Sequence, residues 1–133
     1  MIYLLDTNPC IRYLNGQSDR LRERIDSVGD GNLSVCSVVK AELFLGAMKS
    51  NAQQKTLALQ LEFLSRFTSC VFDDASAMIY GRIRADMERS GTPIGGNDLM
   101  IASIALANGL TLITHNSREF ARVSGLLLED WEA

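Results

Sequence analysis

Asp6, Glu42 and Asp98 are three acids far apart in the chain, each placed where a layered α/β fold could bring it to one point. Asp6 directly follows the apolar run Ile2-Tyr3-Leu4-Leu5. Glu42 lies in a helical-looking stretch just after the strand candidate Leu33-Ser34-Val35-Cys36, and Asp98 opens the almost wholly apolar stretch Leu99 to Ala107. Open α/β sheets bind their ligands outside the carboxyl ends of the strands, so acids at these positions could share one crevice. Converging carboxylates repel one another and are pushed to protonate unless a divalent cation lies among them. The first reading is therefore a metal-dependent hydrolase acting on phosphates.

Each acid also has a plainer explanation. A charge at the end of a buried strand costs several kcal/mol unless it is paired or holds a metal. Asp6 could instead cap the following helix or bond to Thr7 and Asn8. In the site reading, those two residues steady its carboxylate through hydroxyl and amide donors. Glu42 either lies on an exposed stripe or turns toward the site, and its apolar neighbours Val39, Leu43 and Leu45 leave both open. Asp98 sits in a first helical turn, where the helix dipole alone stabilises an acid by about 0.3–1 kcal/mol. Asn116 follows the fourth strand candidate, again at a carboxyl end. A phosphoaspartate phosphatase would want a second acid two residues after Asp6, and Asn8 occupies that place.

Composition narrows the field. A chain of 133 residues is expected to form a single domain spanning 1–133. Its apolar runs fall far short of the roughly 18 residues of a membrane span, and its first residues look like a strand, not a leader. Cys10, Cys36 and Cys70 are odd in number and widely spaced, which suits buried, reduced thiols in the cytoplasm. With His115 the single histidine, zinc chemistry has few ligands. A net charge of -3 excludes a protein that coats nucleic acid by bulk positive charge. It does not exclude a nucleic-acid enzyme, since the acids of a metal site contribute to that charge. Ten arginines against three lysines suit bidentate phosphate contacts, and they suit surface salt bridges equally.

The elements that must position these residues alternate. Residues 2–6 read as a buried strand, with Asn8 as cap and Pro9 as first residue of a helix ending near Asn15-Gly16. Leu21, Ile25 and Val28 mark a second helix that stops at Gly29 or Gly31. After the strand 33–36, Ser37 caps a helix running to about Met48. A longer helix, about 52–67, carries Leu57, Leu61 and Leu64 on one stripe and Leu59, Phe63 and Phe67 on another. That face is wide enough to hint at a helix–helix or subunit contact. A third strand covers 70–72, and Asp73 or Asp74 caps a helix from Ala75 to about Arg89. Asn97 caps a buried helix that stops at Asn108-Gly109. A fourth strand covers 110–114, a short helix 116–120, and an edge strand 126–128. The sum is a three-layer α/β domain with a mainly parallel sheet of about four to five strands flanked by helices.

Four segments occur in one order: Leu5-Asp6-Thr7-Asn8; Ser37-x-x-x-Ala41-Glu42-Leu43-x-x-Gly46; Asn97-Asp98-Leu99-Met100-Ile101-Ala102; and Leu112-Ile113-Thr114-x-Asn116. In this order they resemble the PIN domain, specifically the VapC-type toxin ribonucleases of bacterial toxin–antitoxin pairs. The resemblance extends through Arg118-Glu119-Phe120 and on to the Gly125-Leu126 and Glu129-Asp130-Trp131 segment. It implies that Asp6, Glu42 and Asp98 are catalytic, metal-binding acids. It also implies that Asn116 stands where many PIN domains carry a fourth acid, so a second ion would be held weakly or only together with RNA. Asn116 could still coordinate through its carbonyl oxygen or a water. Glu119, three residues further on, is not assigned to the site.

The hard oxygen ligands favour Mg²⁺ or Mn²⁺. Arg82, Arg89 and Arg118 are candidates for positioning RNA, with a solvated helix face as the alternative for each. His115 reads as a local hydrogen-bonding group. The resemblance further implies a cytoplasmic endoribonuclease toxin, a homodimer, structured RNA such as tRNA as substrate, and a cognate antitoxin that silences it. The rival readings are a PIN-type nuclease for ordinary RNA processing and a catalytically weak binding module whose acids merely cap helices.

Overall fold

The computed structural model describes all residues, Met1–Ala133. Five parallel strands form one sheet in the order β3-β2-β1-β4-β5. They are β1 Tyr3–Leu5, β2 Leu33–Cys36, β3 Thr68–Cys70, β4 Thr111–Ile113 and β5 Leu128–Glu129. Parallel strands must be joined by crossovers, and the helices α1 Thr7–Leu14, α2 Asp19–Val28, α3 Ser37–Lys49, α4 Gln53–Leu64, α5 Asp74–Ser90, α6 Gly96–Ala107 and α7 Ser117–Phe120 supply them. The fold class agrees with the expectation: α/β, with helices flanking a sheet that is parallel throughout.

β1 is the centre of the sheet. Tyr3 is in register with Leu33 on one side and with Thr111 on the other, so Leu4 and Leu5 are wholly buried. From β1 the chain winds outward through β2 and β3, then returns to lay β4 against β1's other edge. The strand order therefore reverses between β1 and β4, and a crevice must open beyond their carboxyl ends. The backbone N–H of Asp6 donates to the Ile113 carbonyl at 2.9 Å, tying the two ends together where that crevice begins.

The helices follow their apolar faces. On α6, Ile101 through Ala105 are buried in succession, as expected of a helix apolar all round, and Ser103 satisfies its hydroxyl on the Leu99 carbonyl at 2.6 Å. α6 ends at Ala107 with Asn108 as its cap, and Gly109 at φ 64 takes the left-handed turn that stops it. Cys10, Cys36 and Cys70 are buried free thiols, and burial pushes Cys36 up to about 11.

Several boundaries differ from the sequence reading. α1 begins at Thr7 with Asp6 in the cap position, so Pro9 falls third; the first-turn N–H groups have no helical partner there, and proline is tolerated all the same. Cys36 and Gly95, not Ser37 and Asn97, occupy the caps of α3 and α6. β3 lies at 68–70, not 70–72: it is an edge strand with Thr68 and Ser69 exposed and only Cys70 buried. The apolar stretch α4 was expected to span ends at Leu64. On that helix Leu59 and Leu61 are each 50% exposed, whereas the polar Gln60 is buried.

Candidate active site

The crevice at the β1/β4 switch has a volume of about 240 Å³ and is lined by Asp6, Thr7, Asn8, Ile11, Glu42, Asp98 and Asn116. Four segments distant in sequence therefore meet at one place. Asp6 arrives on the end of β1, Glu42 from the second turn of α3, Asp98 from the first turn of α6, and Asn116 from the loop after β4.

Asp6 is buried, and its carboxylate makes no capping bond to α1. Its Oδ2 instead accepts from the Thr114 hydroxyl at 2.8 Å. Burial raises its pKa, while the bonds from Thr114 and the Thr7 backbone pull the other way. Thr114 also accepts the Asn116 backbone N–H at 3.0 Å, so one buried hydroxyl fixes both an acid on β1 and the turn after β4. The reading of Thr7 and Asn8 as the residues that hold Asp6 is corrected here. The Thr7 hydroxyl donates to Glu42 Oε1 at 2.9 Å, because the first residue of α1 faces α3. Asn8 lines the crevice without a side-chain hydrogen bond, and Thr114 performs the task assigned to the pair.

Asp98 is half-buried, and its carboxyl is pushed up to about 6, first by burial and then by the charges of Asp6, Glu42 and Glu119. Glu119 thus belongs to the electrostatics of the site. The Asn116 amide donates to Glu119 Oε2 at 3.1 Å. Sequence reasoning set Glu119 aside on separation alone. Asn116 caps α7 and Glu119 is its third residue, and residues three apart on a helix share a face. The short helix after β4 was the available signal.

No Lys, Arg or His forms an ion pair with any of these acids, although Arg12, Arg24, Arg66, Arg84 and Arg89 pair with acids elsewhere. The candidate RNA-positioning arginines do not line the crevice. Arg89 pairs with Asp86 on α5; Arg82 and Arg118 are exposed and form no ion pair. His115 Nδ1 lies 2.9 Å from Asp130 Oδ2. With Glu132 these two form a second group whose potential ligand atoms lie within 4.8 Å of one another. There, however, the acids have partners in the chain: Asp130 hydrogen-bonds the His115 ring, and Glu132 pairs with Arg12. A larger hollow of about 620 Å³ between α2 and the C-terminal segment mixes Arg20 and Arg24 with Glu23, Glu129 and Asp130. Size therefore does not choose the site; uncompensated charge does.

The donor set fits a hard divalent cation. Every polar atom the lining side chains offer is an oxygen or an amide, the acids lack a protein counter-ion, and the repulsion that raises Asp98 is what such a cation cancels.

Comparison with known proteins gives the same direction. The PIN domain pattern matches residues 3–126. The chain is 39% identical over 129 residues to the tRNA(fMet)-specific endonuclease VapC of Salmonella typhimurium, covering 97% of each. It is 38% identical over 133 residues to ribonuclease VapC2 of Rickettsia felis, covering 99% of each. The crystal structure of DNA-bound VapBC from Salmonella typhimurium superposes with a TM-score of 0.93 at 38% identity, covering 98% of both chains.

Proposed function

The chain belongs to the PIN-domain family, and from that membership we propose that it is an endoribonuclease toxin, cleaving structured RNA of the tRNA kind and held inactive by a cognate antitoxin. One observation carries the chemistry: Asp6, Glu42 and Asp98 line a crevice at the sheet's switch point with no basic residue to balance them. The relatives named for tRNA(fMet) and ribonuclease activity support the substrate class, and the VapBC structure supports a partner.

Asp6, Glu42 and Asp98 would hold Mg²⁺ or Mn²⁺, with the Asn116 amide oxygen as a weaker fourth donor. Such an ion supplies Lewis acidity, neutralising charge on a phosphodiester and lowering the pKa of water beside it. The protein's own contribution is order. Thr114 fixes Asp6 and the Asn116 turn together, and Thr7 fixes Glu42, so three of the oxygen donors are held before anything binds. Asn116 uses its amide nitrogen on Glu119, which leaves the amide oxygen for the crevice. A carboxylate oxygen of these acids left free of the cation would be placed to accept a proton from water in the crevice. The excess negative charge of the crevice would repel an RNA phosphate, and such a cation would offset that repulsion.

Cleavage of a total tRNA pool by purified, partner-free protein tests the proposal, with Mg²⁺ or Mn²⁺, with EDTA, and with Asp6→Ala and Asp98→Asn. Discrete fragments that vanish with EDTA and in both variants are expected. Unimpaired growth of cells making soluble wild-type protein without a partner would count against the toxin role; arrest relieved by Asp6→Ala is the expected result.

A further inference from the structure

Hydrolysis of a phosphodiester by water beside a divalent cation does not use the sugar's 2′-hydroxyl, so that chemistry alone does not tell RNA from DNA. Selectivity at the cut then needs a group that bonds the ribose. Such a group must lie in the crevice, be spared by the cation, and carry hydrogen-bonding atoms unused within the chain. Among the lining residues one side chain meets all three conditions. Asp6, Glu42, Asp98 and the Asn116 amide oxygen are the donors for the cation, Ile11 is apolar, and the Thr7 hydroxyl donates to Glu42. Asn8 is exposed, and its side-chain amide bonds to nothing in the chain. Its residue type is also not what the helix would choose. Asn8 is the second residue of α1, where an acid would gain about 0.3–1 kcal/mol from the helix dipole, yet that first turn holds no acid. A carboxylate there would add charge to the crevice and could only accept hydrogen bonds, whereas the amide both donates and accepts. Ile11, three residues on and so on the same face of α1, is 38% exposed and gives the crevice an apolar surface beside that amide.

We propose that Asn8 is the residue that reads the sugar: its amide exchanges hydrogen bonds with the 2′-hydroxyl of a nucleotide flanking the scissile phosphodiester, and the ribose lies against Ile11. The inference rests on the ribonuclease reading above and names the group that makes the site selective for RNA. A hydroxyl is both donor and acceptor, so it can engage the amide nitrogen and the amide oxygen alike. A phosphate oxygen only accepts, and would leave the amide oxygen idle beside three acids. Contact with the phosphate is the competing role, and the test separates the two.

The probe is a synthetic RNA spanning the site cut in the tRNA pool, made with a single 2′-deoxynucleotide on either side of the cut in turn and cleaved by the full chain with Mn²⁺. Mn²⁺ binding and thermal melting are measured alongside. For wild type, one of the two deoxy probes should be cut with a kcat/KM roughly five- to tenfold lower, as expected for the loss of a neutral hydrogen-bonding partner. Asn8→Ala should lose a similar factor on the all-ribose probe and nothing further on that deoxy probe, because the two changes remove the same contact. It should bind Mn²⁺ and melt as wild type does, since the amide supports nothing within the chain. Asn8→Ser, which keeps a donor and an acceptor, should restore part of the discrimination. A loss in Asn8→Ala that is equal on ribose and deoxyribose probes would overturn the proposal and put the amide on the phosphate. Cleavage by Asn8→Ala at the wild-type rate, or a wild type indifferent to both deoxy substitutions, would overturn it as well. So would weakened Mn²⁺ binding in Asn8→Ala, since the amide would then serve the cation. Absence of any cleavage of the tRNA pool by the wild-type chain would instead overturn the ribonuclease reading, and this inference with it.

Discussion

Acids occur in two arrangements on this molecule. Around Arg66, the carboxylates of Asp26 and Asp30 lie 3.2 and 3.0 Å from the guanidinium, which also bonds to the Tyr13 hydroxyl and stacks near Phe63 and Phe67. The hydrogen bonds to Asp30 are the chief cause that raises the Arg66 pKa. In the crevice, Asp6 and Glu42 have hydroxyl partners and Asp98 has acids for neighbours, and Asp6 and Asp98 are pushed toward the neutral form, chiefly by burial. Each acid in the first region has a cationic partner within the chain, and the group fastens α2 and the turn after it to the segment following α4. Charge in the second is left over, and only something from outside can balance it. The distinction separates structural acids from those proposed to hold a cation without reference to sequence position.

The two regions should respond oppositely to substitution. The largest effect is expected in the crevice: Asp6→Ala should lower single-turnover RNA cleavage by roughly 10³-fold or more, with the fold intact by circular dichroism. Residual cleavage near wild type would place the chemistry elsewhere. Arg66→Ala should do the reverse, costing about 1–3 kcal/mol in denaturant unfolding while leaving kcat/KM within about twofold. A neutral Arg66→Ala would mean that the half-exposed Asp26 and Asp30 add as little as ordinary surface pairs do.

Asp98→Asn should be inactive yet more stable than wild type in EDTA at pH 7, because it removes a charge that burial and its neighbours oppose. A higher melting temperature for the variant, together with a smaller Mn²⁺-induced rise than in wild type, is the expected pair of results. Equal melting of the two proteins in EDTA would show that the repulsion is relieved by solvent.

The smallest effect is on pH. Asp98 holds its proton up to about 6 in the folded chain, against an ordinary value of 3.8. Between those values the folded state binds more protons than the unfolded one, so stability falls as pH rises through that window. Metal-free protein should therefore melt higher at pH 5 than at pH 7, and Asp98→Asn should flatten the difference. Asp73, lowered chiefly by its hydrogen bond from the Ser76 backbone, acts the other way and only as pH falls below the ordinary carboxylate range.

Most of the alternation of strands and helices was legible in the sequence, because apolar runs and periodic stripes state which residues must leave water. Boundaries were less so. Pro9, Ser37 and Asn97 each look like start signals, yet the helices begin elsewhere, since tertiary packing decides which backbone N–H groups find partners. The edge strand β3 was displaced for the same reason: the chain pairs Ser69 with Val35 and leaves the more apolar Val71 exposed.

By itself the sequence determined that Asp6 follows the first strand, that Glu42 lies in the helix after the second, and that Asp98 opens a buried helix, since apolar runs and their periodicity state which residues leave water. Only the tertiary structure decided what holds them. Thr114 serves Asp6, Thr7 serves Glu42, and Glu119 joins through Asn116, because hydrogen-bond partners are chosen by distance across strands and helices. Likewise the burial of Gln60 between exposed leucines depends on where the Leu43 carbonyl falls on a neighbouring helix, a coordinate that no local pattern encodes.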